Sequence, residues 1–185
     1  MSERTLKQLL SDVSDKAIAG VITREDLLAL LANPKGSVAS KPADAYSVVI
    51  NFGKTVEQMK DDGHYDWSNS NINSQNFPLS GEGTVNVTLE LVHLNRLASS
   101  QDVLDHLEAN GMRPATVEEL LMFGVTYPDI QREFPIVCLG SSWVDPDGDR
   151  DVPYLRRDGS ERDLDLFWLG NDWNGICRFL AVRKS

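Results

Sequence analysis

The chain has 185 residues, of which 41% are hydrophobic and 25% are charged, and its formal net charge is −10. This length allows one substantial hydrophobic core, so we expect a single main domain with at most a small appendage. The acidic balance disfavours nucleic-acid backbones and anionic membrane surfaces as partners, because both are bound by clustered Lys and Arg. We therefore expect no nucleic-acid binding. We also expect no membrane insertion, because no apolar run reaches the length of a membrane span.

Residues 1–36 predict an N-terminal helical hairpin. Leucines recur at helical spacing from Leu6 onwards, and Thr23 starts a second helix that ends at Pro34. Residues 37–45 then read as a linker. A hairpin this small buries too little to stand alone, so we expect it to pack on the main domain or to self-associate. The start of the chain lacks the layout of a signal peptide, which predicts a cytoplasmic protein as synthesised, with association with a virus particle left open.

Residues 46–185 are predicted to form the main domain, of the α+β class. Apolar and polar residues alternate over 85–91, which predicts a strand with one buried face. Capping patterns at Thr55, Ser100 and Thr116 predict the starts of three helices. The rest of the domain reads as short strands and turns.

An acidic turn carries Asp145, Asp147 and Asp149 at alternate positions. Calcium takes several carboxylates from one loop, so these residues are a candidate metal site. The EF-hand pattern instead needs Gly where Arg150 stands and a carboxylate where Arg156 stands. The same alternation suits a solvated hairpin turn, and both interpretations stay open. We expect no other cofactor.

No catalytic constellation stands out in the sequence. His64, His93 and His106 are far apart without metal-ligand spacing, and neither a Gly-rich phosphate loop nor a nucleophile elbow occurs. Cys138 and Cys177 lie in apolar, strand-like runs, so we expect two reduced core thiols, with a bridge across strands as the alternative. The sequence therefore predicts a protein that is not an enzyme.

The candidate binding surface extends from Tyr154 to Ile176. Strand alternation predicts that Leu164, Leu166 and Trp168 point inward and that the residues between them point outward. An outward Phe167 beside Asp and Asn suits a contact surface, because aromatic anchors dominate binding energy. An amphipathic edge hairpin with one exposed aromatic is the alternative. The predicted binding residues are Tyr154, Arg156, Arg157, Asp163, Asp165, Phe167, Leu169, Asn171, Asp172, Asn174 and Ile176.

Three segments of the chain resemble the C-type lectin-like fold. Residues 111–120, 137–143 and 177–183 look like its helix entry, core strand and closing strand. The version resembled is shared by formylglycine-generating enzymes and by the variable proteins of diversity-generating retroelements, and the likeness covers residues 46–183. It implies helices and short, irregular antiparallel strands, here with the N-terminal hairpin added.

The likeness to the variable proteins implies noncatalytic recognition of a protein or glycan ligand through a hypervariable C-terminal surface. The enzyme branch depends on two cysteines close together late in the chain, whereas Cys138 and Cys177 are far apart. In the retroelement systems mutagenesis acts on adenines, so codons derived from Asn cannot become Lys, Glu, Gln, Met or Trp. None of those types occurs at the implied variable positions, which are Asp163, Asp165, Phe167, Leu169, Gly170, Asn171, Asp172, Asn174, Gly175 and Ile176.

Two other functions remain open at this point. One is an enzyme on the same scaffold, acting through carboxylates or Cys177. The other is a structural or assembly protein that oligomerises through the N-terminal hairpin, and the sequence leaves the oligomeric state undecided. A microbial or viral member of the family, for example from an archaeal virus, would suit the resemblance.

Overall fold

The computed structural model describes residues 45–184, which form an α+β domain with three helices, one short 3-10 helix and a large mixed sheet. The predicted α+β class is confirmed. The predicted hairpin of residues 1–36 and nearly all of the linker 37–45 lie outside the described residues. None of the helices within 45–184 is long and apolar enough to cross a membrane.

The sheet of the described domain has nine strands, and its order is β1-β3-β9-β5-β7-β8-β2, with β4 paired to β9 and β6 paired to β7. Pairs β5–β9 and β2–β8 are parallel and the others are antiparallel. The order places β9 between β3 and β5, inside the sheet. The bounds are β1 Ala45–Asn51, β2 Trp67–Ser68, β3 Thr84–Val92, β4 Met112–Pro114, β5 Ile136–Val137, β6 Trp143–Val144, β7 Arg150–Asp158, β8 Glu161–Trp168 and β9 Arg178–Arg183.

Side-chain caps begin the helices close to the predicted positions. Thr55 and Gln58 form the predicted capping box, with the Gln58 side chain accepting from the Thr55 N–H at 2.9 Å. The second helix is capped by Ser99 and not by Ser100, because the Asp102 carboxylate accepts from the Ser99 N–H at 3.0 Å. The helices are α1 Val56–Gly63, α2 Ser100–Ala109 and α3 Val117–Thr126.

The sheet is covered on both faces at its centre. In β5, Ile136 belongs to one hydrophobic cluster and Val137 to another, and in β9 Leu180 and Phe179 divide in the same way. Neighbouring residues of a strand point to opposite faces, so the two clusters lie on opposite sides of the sheet. Helices α1 and α3 pack over the first cluster, and α2 contributes Val103 and Leu107 to the second.

Arg162 on β8 joins the C-terminal ends of two helices. Its guanidinium donates to the Gly63 carbonyl and to the Gly124 carbonyl, both at 2.8 Å. Gly63 is the last residue of α1, and Gly124 lies in the last turn of α3. The last carbonyls of a helix have no partner within it and carry the negative end of its dipole, so a cation is favoured there. The guanidinium also lies over the Tyr65 ring, 5.0 Å from its centre.

We predict that Arg162→Ala lowers the free energy of unfolding by about 3 kcal/mol or more, because two buried carbonyls lose their charged donor. Arg157 lies directly opposite Arg162 in the β7–β8 pairing but is exposed. Arg157→Ala is therefore the matched control, and we expect it to change the stability by less than about 0.5 kcal/mol. Urea denaturation of both variants measures the difference, and equal losses would contradict the role given to Arg162.

Candidate functional site

A row of four aromatic rings extends from the surface to the second hydrophobic cluster. The ring centres of Tyr154 and Phe167 lie 5.7 Å apart, those of Phe167 and Trp173 lie 5.1 Å apart, and those of Trp173 and Phe179 lie 5.9 Å apart. Tyr154 and Phe167 are half-buried, whereas Trp173 and Phe179 are buried. The row therefore joins the β7–β8 hairpin to the segment between β8 and β9.

Trp173 fixes the irregular segment between β8 and β9. Its backbone exchanges two hydrogen bonds with Ala98, at 2.8 and 3.0 Å, and its indole N–H donates to the Ser100 hydroxyl at 2.9 Å. That hydroxyl in turn donates to the Leu169 carbonyl at 2.7 Å. Trp173 is only 2% exposed, so it is a buried anchor of this segment.

A cavity of about 120 Å³ lies beside the aromatic row. Its deepest lining residues, Val137, Trp173 and Cys177, are buried, and the exposed residues Asp172 and Asn174 lie at its edge. Four of the predicted binding residues meet at this cavity. The complete lining consists of Pro135, Val137, Tyr154, Phe167, Asp172, Trp173, Asn174 and Cys177.

Arg156 is surrounded by three carboxylates, those of Asp163 at 2.9 Å, Asp165 at 3.3 Å and Asp158 at 3.5 Å. Asp163 is only 3% exposed, so the prediction that it points outward is wrong. Strand β2 pairs with β8 at this point, and Gln131 donates to the Asp163 carbonyl, so β8 is covered there by other elements. Burial raises the pKa of the Asp163 carboxyl, and the charge of Arg156 opposes that shift. The ion pair of Arg156 and Asp163 joins the two strands of the β7–β8 hairpin.

Trp168 is 45% exposed, so the prediction that it points inward is wrong. Strand β8 ends at this residue, and its indole lies against Gly170, where an added Cβ would be 2.6 Å from the ring. The opposite prediction, that Phe167 and Leu169 point to solvent, is also wrong, because both are half-buried against the second cluster. Alternation separates the two faces of β8 correctly, but both faces are covered by protein.

The exposed predicted residues lie around this cavity and on the adjoining hairpin. Ile176 is 60% exposed, although it is large and apolar. Leu97, which no sequence pattern singled out, is 63% exposed and precedes the Ala98 that pairs with Trp173. The exposed predicted residues are Arg157, Asn171, Asp172, Asn174 and Ile176.

The acidic turn forms a hairpin connection between β6 and β7. The Asp145 carboxylate accepts hydrogen bonds from the N–H groups of Asp147 and Asp149, both at 2.9 Å. Backbone groups of the same turn therefore already bind this carboxylate. Within residues 45–184, no three His, Cys, Asp or Glu side chains form a group that could hold a metal ion. The candidate calcium residues are therefore not brought together as ligands within residues 45–184, which favours the alternative of a solvated hairpin turn.

Both cysteines are free and buried, as predicted, so they do not bridge. The Cys138 thiol donates to the Ala115 carbonyl at 2.9 Å, and the Cys177 thiol lies 3.4 Å from the Asn174 side-chain oxygen. Burial raises the pKa of both thiols. The reactive thiolate is therefore disfavoured at neutral pH, even though Cys177 lines the cavity.

Comparison with protein-family models, with curated proteins and with solved structures found no match to this chain. The features of this domain that bear on its function are the cavity, the aromatic row beside it and the exposed residues around it.

We predict slow alkylation of both thiols by iodoacetamide at neutral pH, with Cys138 slower than Cys177, because Cys138 has no exposed surface. Mass spectrometry after timed alkylation, with and without denaturant, gives both rates. Fast labelling of Cys177 in the folded protein would contradict the assignment of a core thiol and would favour the enzyme alternative.

Proposed function

We propose that this chain is a noncatalytic target-recognition protein with a C-type lectin-like fold. It displays a changeable C-terminal surface on a fixed scaffold, as the variable proteins of diversity-generating retroelements do. One observation supports this most directly: between β8 and β9, the exposed residues Asn171, Asp172, Asn174 and Ile176 are interspersed with the buried anchors Trp173 and Cys177.

The segment between β8 and β9 is irregular in backbone but held at fixed points. Hydrogen bonds of Trp173 to Ala98 and Ser100 attach it to the start of α2. Among the described residues, the exposed side chains of Asn171, Asp172 and Ile176 form no hydrogen bond or ion pair, so other residue types would be tolerated there. The Asn174 side-chain oxygen instead accepts from the Ile176 N–H at 3.1 Å. A fixed backbone with replaceable side chains is the arrangement that a variable binding surface requires.

The predicted binding residues divide into three roles in this proposal. Arg156, Asp163 and Asp165 are paired with one another and stabilise the hairpin. Tyr154 and Phe167 are half-buried beside the cavity, where aromatic side chains contribute most to binding. The exposed residues Arg157, Asn171, Asp172, Asn174 and Ile176, with the half-buried Leu169, set specificity and association rate.

A second candidate function is an enzyme that acts through Cys177. The observation in its favour is that this thiol lines the cavity. Burial raises the pKa of Cys177, which opposes nucleophilic chemistry at neutral pH. Binding without catalysis is therefore the function that the site supports better.

We predict that replacing Arg157, Asn171, Asp172 and Ile176 together by Ser changes the free energy of unfolding by less than about 2 kcal/mol, because each side chain is exposed. The control Trp173→Ala removes a buried anchor and is expected to cost about 3–5 kcal/mol. Thermal and chemical denaturation measure both. A fourfold variant that fails to fold would place these residues in the scaffold and overturn the proposal.

We further predict that the gene lies beside a reverse-transcriptase gene and a near-copy of its own 3′ end. The two copies should differ at adenines, and the differences should fall in the codons of the exposed residues. Sequencing the genomic neighbourhood tests this. A neighbourhood without both features would contradict the retroelement assignment. The proposed binding role would then be tested by the fourfold surface variant alone.

A further inference from the structure

We propose that the cavity beside Phe167 binds an alkylammonium group, such as the end of a lysine side chain on a protein target. This inference rests on the proposed function, because it names the chemistry that the same surface recognises. It depends on the size of the cavity, on the rings that line it and on one carboxylate at its edge.

The size of the cavity limits the occupant to a small group. A cavity of about 150 Å³ accommodates a benzene molecule. The 120 Å³ here therefore has room for slightly less than a benzene ring, or about five non-hydrogen atoms. An indole ring or a complete sugar ring is too large. The end of an extended side chain, or a quaternary ammonium group, is of the right size.

Three aromatic residues line the cavity, and their rings face different directions. The Tyr154 and Phe167 rings are inclined at 71° to each other, and the Phe167 and Trp173 rings at 41°. The three rings pack against one another in the row, and each contributes to the lining of the cavity. Aromatic rings attract cations through their electron-rich faces, and the attraction increases where water is excluded.

Asp172 supplies the negative charge at the edge of the cavity, and it is the one charged residue in the lining. Its carboxylate is exposed and makes no ion pair or hydrogen bond with any residue that the structure describes. Asp163 and Asp165, in contrast, share the guanidinium of Arg156. Asp172 therefore remains available to a cationic ligand.

The polar groups deeper in the cavity are already engaged. The Trp173 indole N–H donates to Ser100, and the Cys177 thiol contacts the Asn174 amide oxygen. Burial keeps the Cys177 thiol protonated, because it raises its pKa. The interior of the cavity is thus neutral and lined by apolar and aromatic side chains, and only its edge carries a charged residue.

Neither neighbouring arginine belongs to the lining of the cavity. The charge of Arg156 is shared among three carboxylates, and Arg178 lies over the Phe134 ring at 4.4 Å and donates to the Ile176 carbonyl. The whole chain carries a formal charge of −10, and a field of this sign raises the association rate of cations. An apolar ligand would use the rings but would gain nothing from Asp172.

Choline and 3,3-dimethyl-1-butanol test the inference, because they have nearly the same shape and only choline is charged. Titration of the full chain is followed by NMR at the indole N–H of Trp173, with Trp67 on β2 as a distant reference. We expect saturable shifts at Trp173, with choline binding about fivefold or more tightly than the neutral analogue. Equal binding of the two compounds, or no shift with either, would overturn the inference.

A pair of matched variants tests the carboxylate. Asp172→Asn removes the charge at the cavity, whereas Asp147→Asn removes the same charge from the exposed acidic turn. We expect D172N alone to weaken choline binding several-fold and to leave the neutral analogue unchanged. Equal effects of D172N and D147N on choline would overturn the inference.

The failure of this inference can be told apart from failure of the proposed function. If the fourfold surface variant folds but choline binds no better than its neutral analogue, only the chemistry assigned to the cavity is wrong. If the surface variant does not fold, the proposed function fails whatever choline does.

Discussion

The arrangement of this domain depends on the hydrogen bonds that the Arg162 guanidinium donates to two helix ends. Two helices distant in sequence, α1 and α3, direct their last carbonyls at this one guanidinium. Since a buried carbonyl without a donor is costly, neither helix end can move away from β8 alone. Strand β8 in turn holds β7 through a long antiparallel register. The hairpin that carries Tyr154 and Phe167 is therefore fixed by a charge at the other end of the same strand.

Local rules predicted the parts of the fold that depend on near neighbours. The helix starts followed from capping residues, and the Thr55 cap was placed at the right residue because its partner Gln58 is only three positions away. The strand over 85–91 followed from alternation, which holds from Asn86 to Leu89. Val85 is exposed instead of buried, and Glu90 is buried where Arg183 pairs with it. The cap of α2 was placed one residue late, at Ser100, although only Ser99 has an acidic residue, Asp102, three positions further on.

The same rules failed for β8 because they assume that one face of a strand is exposed to solvent. Asp163 and Phe167 are covered by elements that come from elsewhere in the chain, β2 for the first and the Trp173 segment for the second. β2 lies far from Asp163 in sequence, and Trp173, although close to Phe167 in sequence, is held in place by hydrogen bonds to the distant Ala98 and Ser100. Trp168 shows the converse, since a large aromatic lies in solvent where the strand ends and the cover stops. The cavity likewise could not be predicted, because its lining comes from β5, β7, β8 and the segment before β9.

The position of β9 has a consequence for how the protein is made. This strand is formed by residues 178–183, yet it pairs with β3, β4 and β5 inside the sheet. The ribosome must therefore synthesise residues 178–183 before the central pairing can form. A premature stop codon anywhere before residue 178 deletes an interior strand, so the shortened product cannot complete the sheet. A nonsense mutation in the segment between β8 and β9 would therefore give an unfolded product, which the cell degrades.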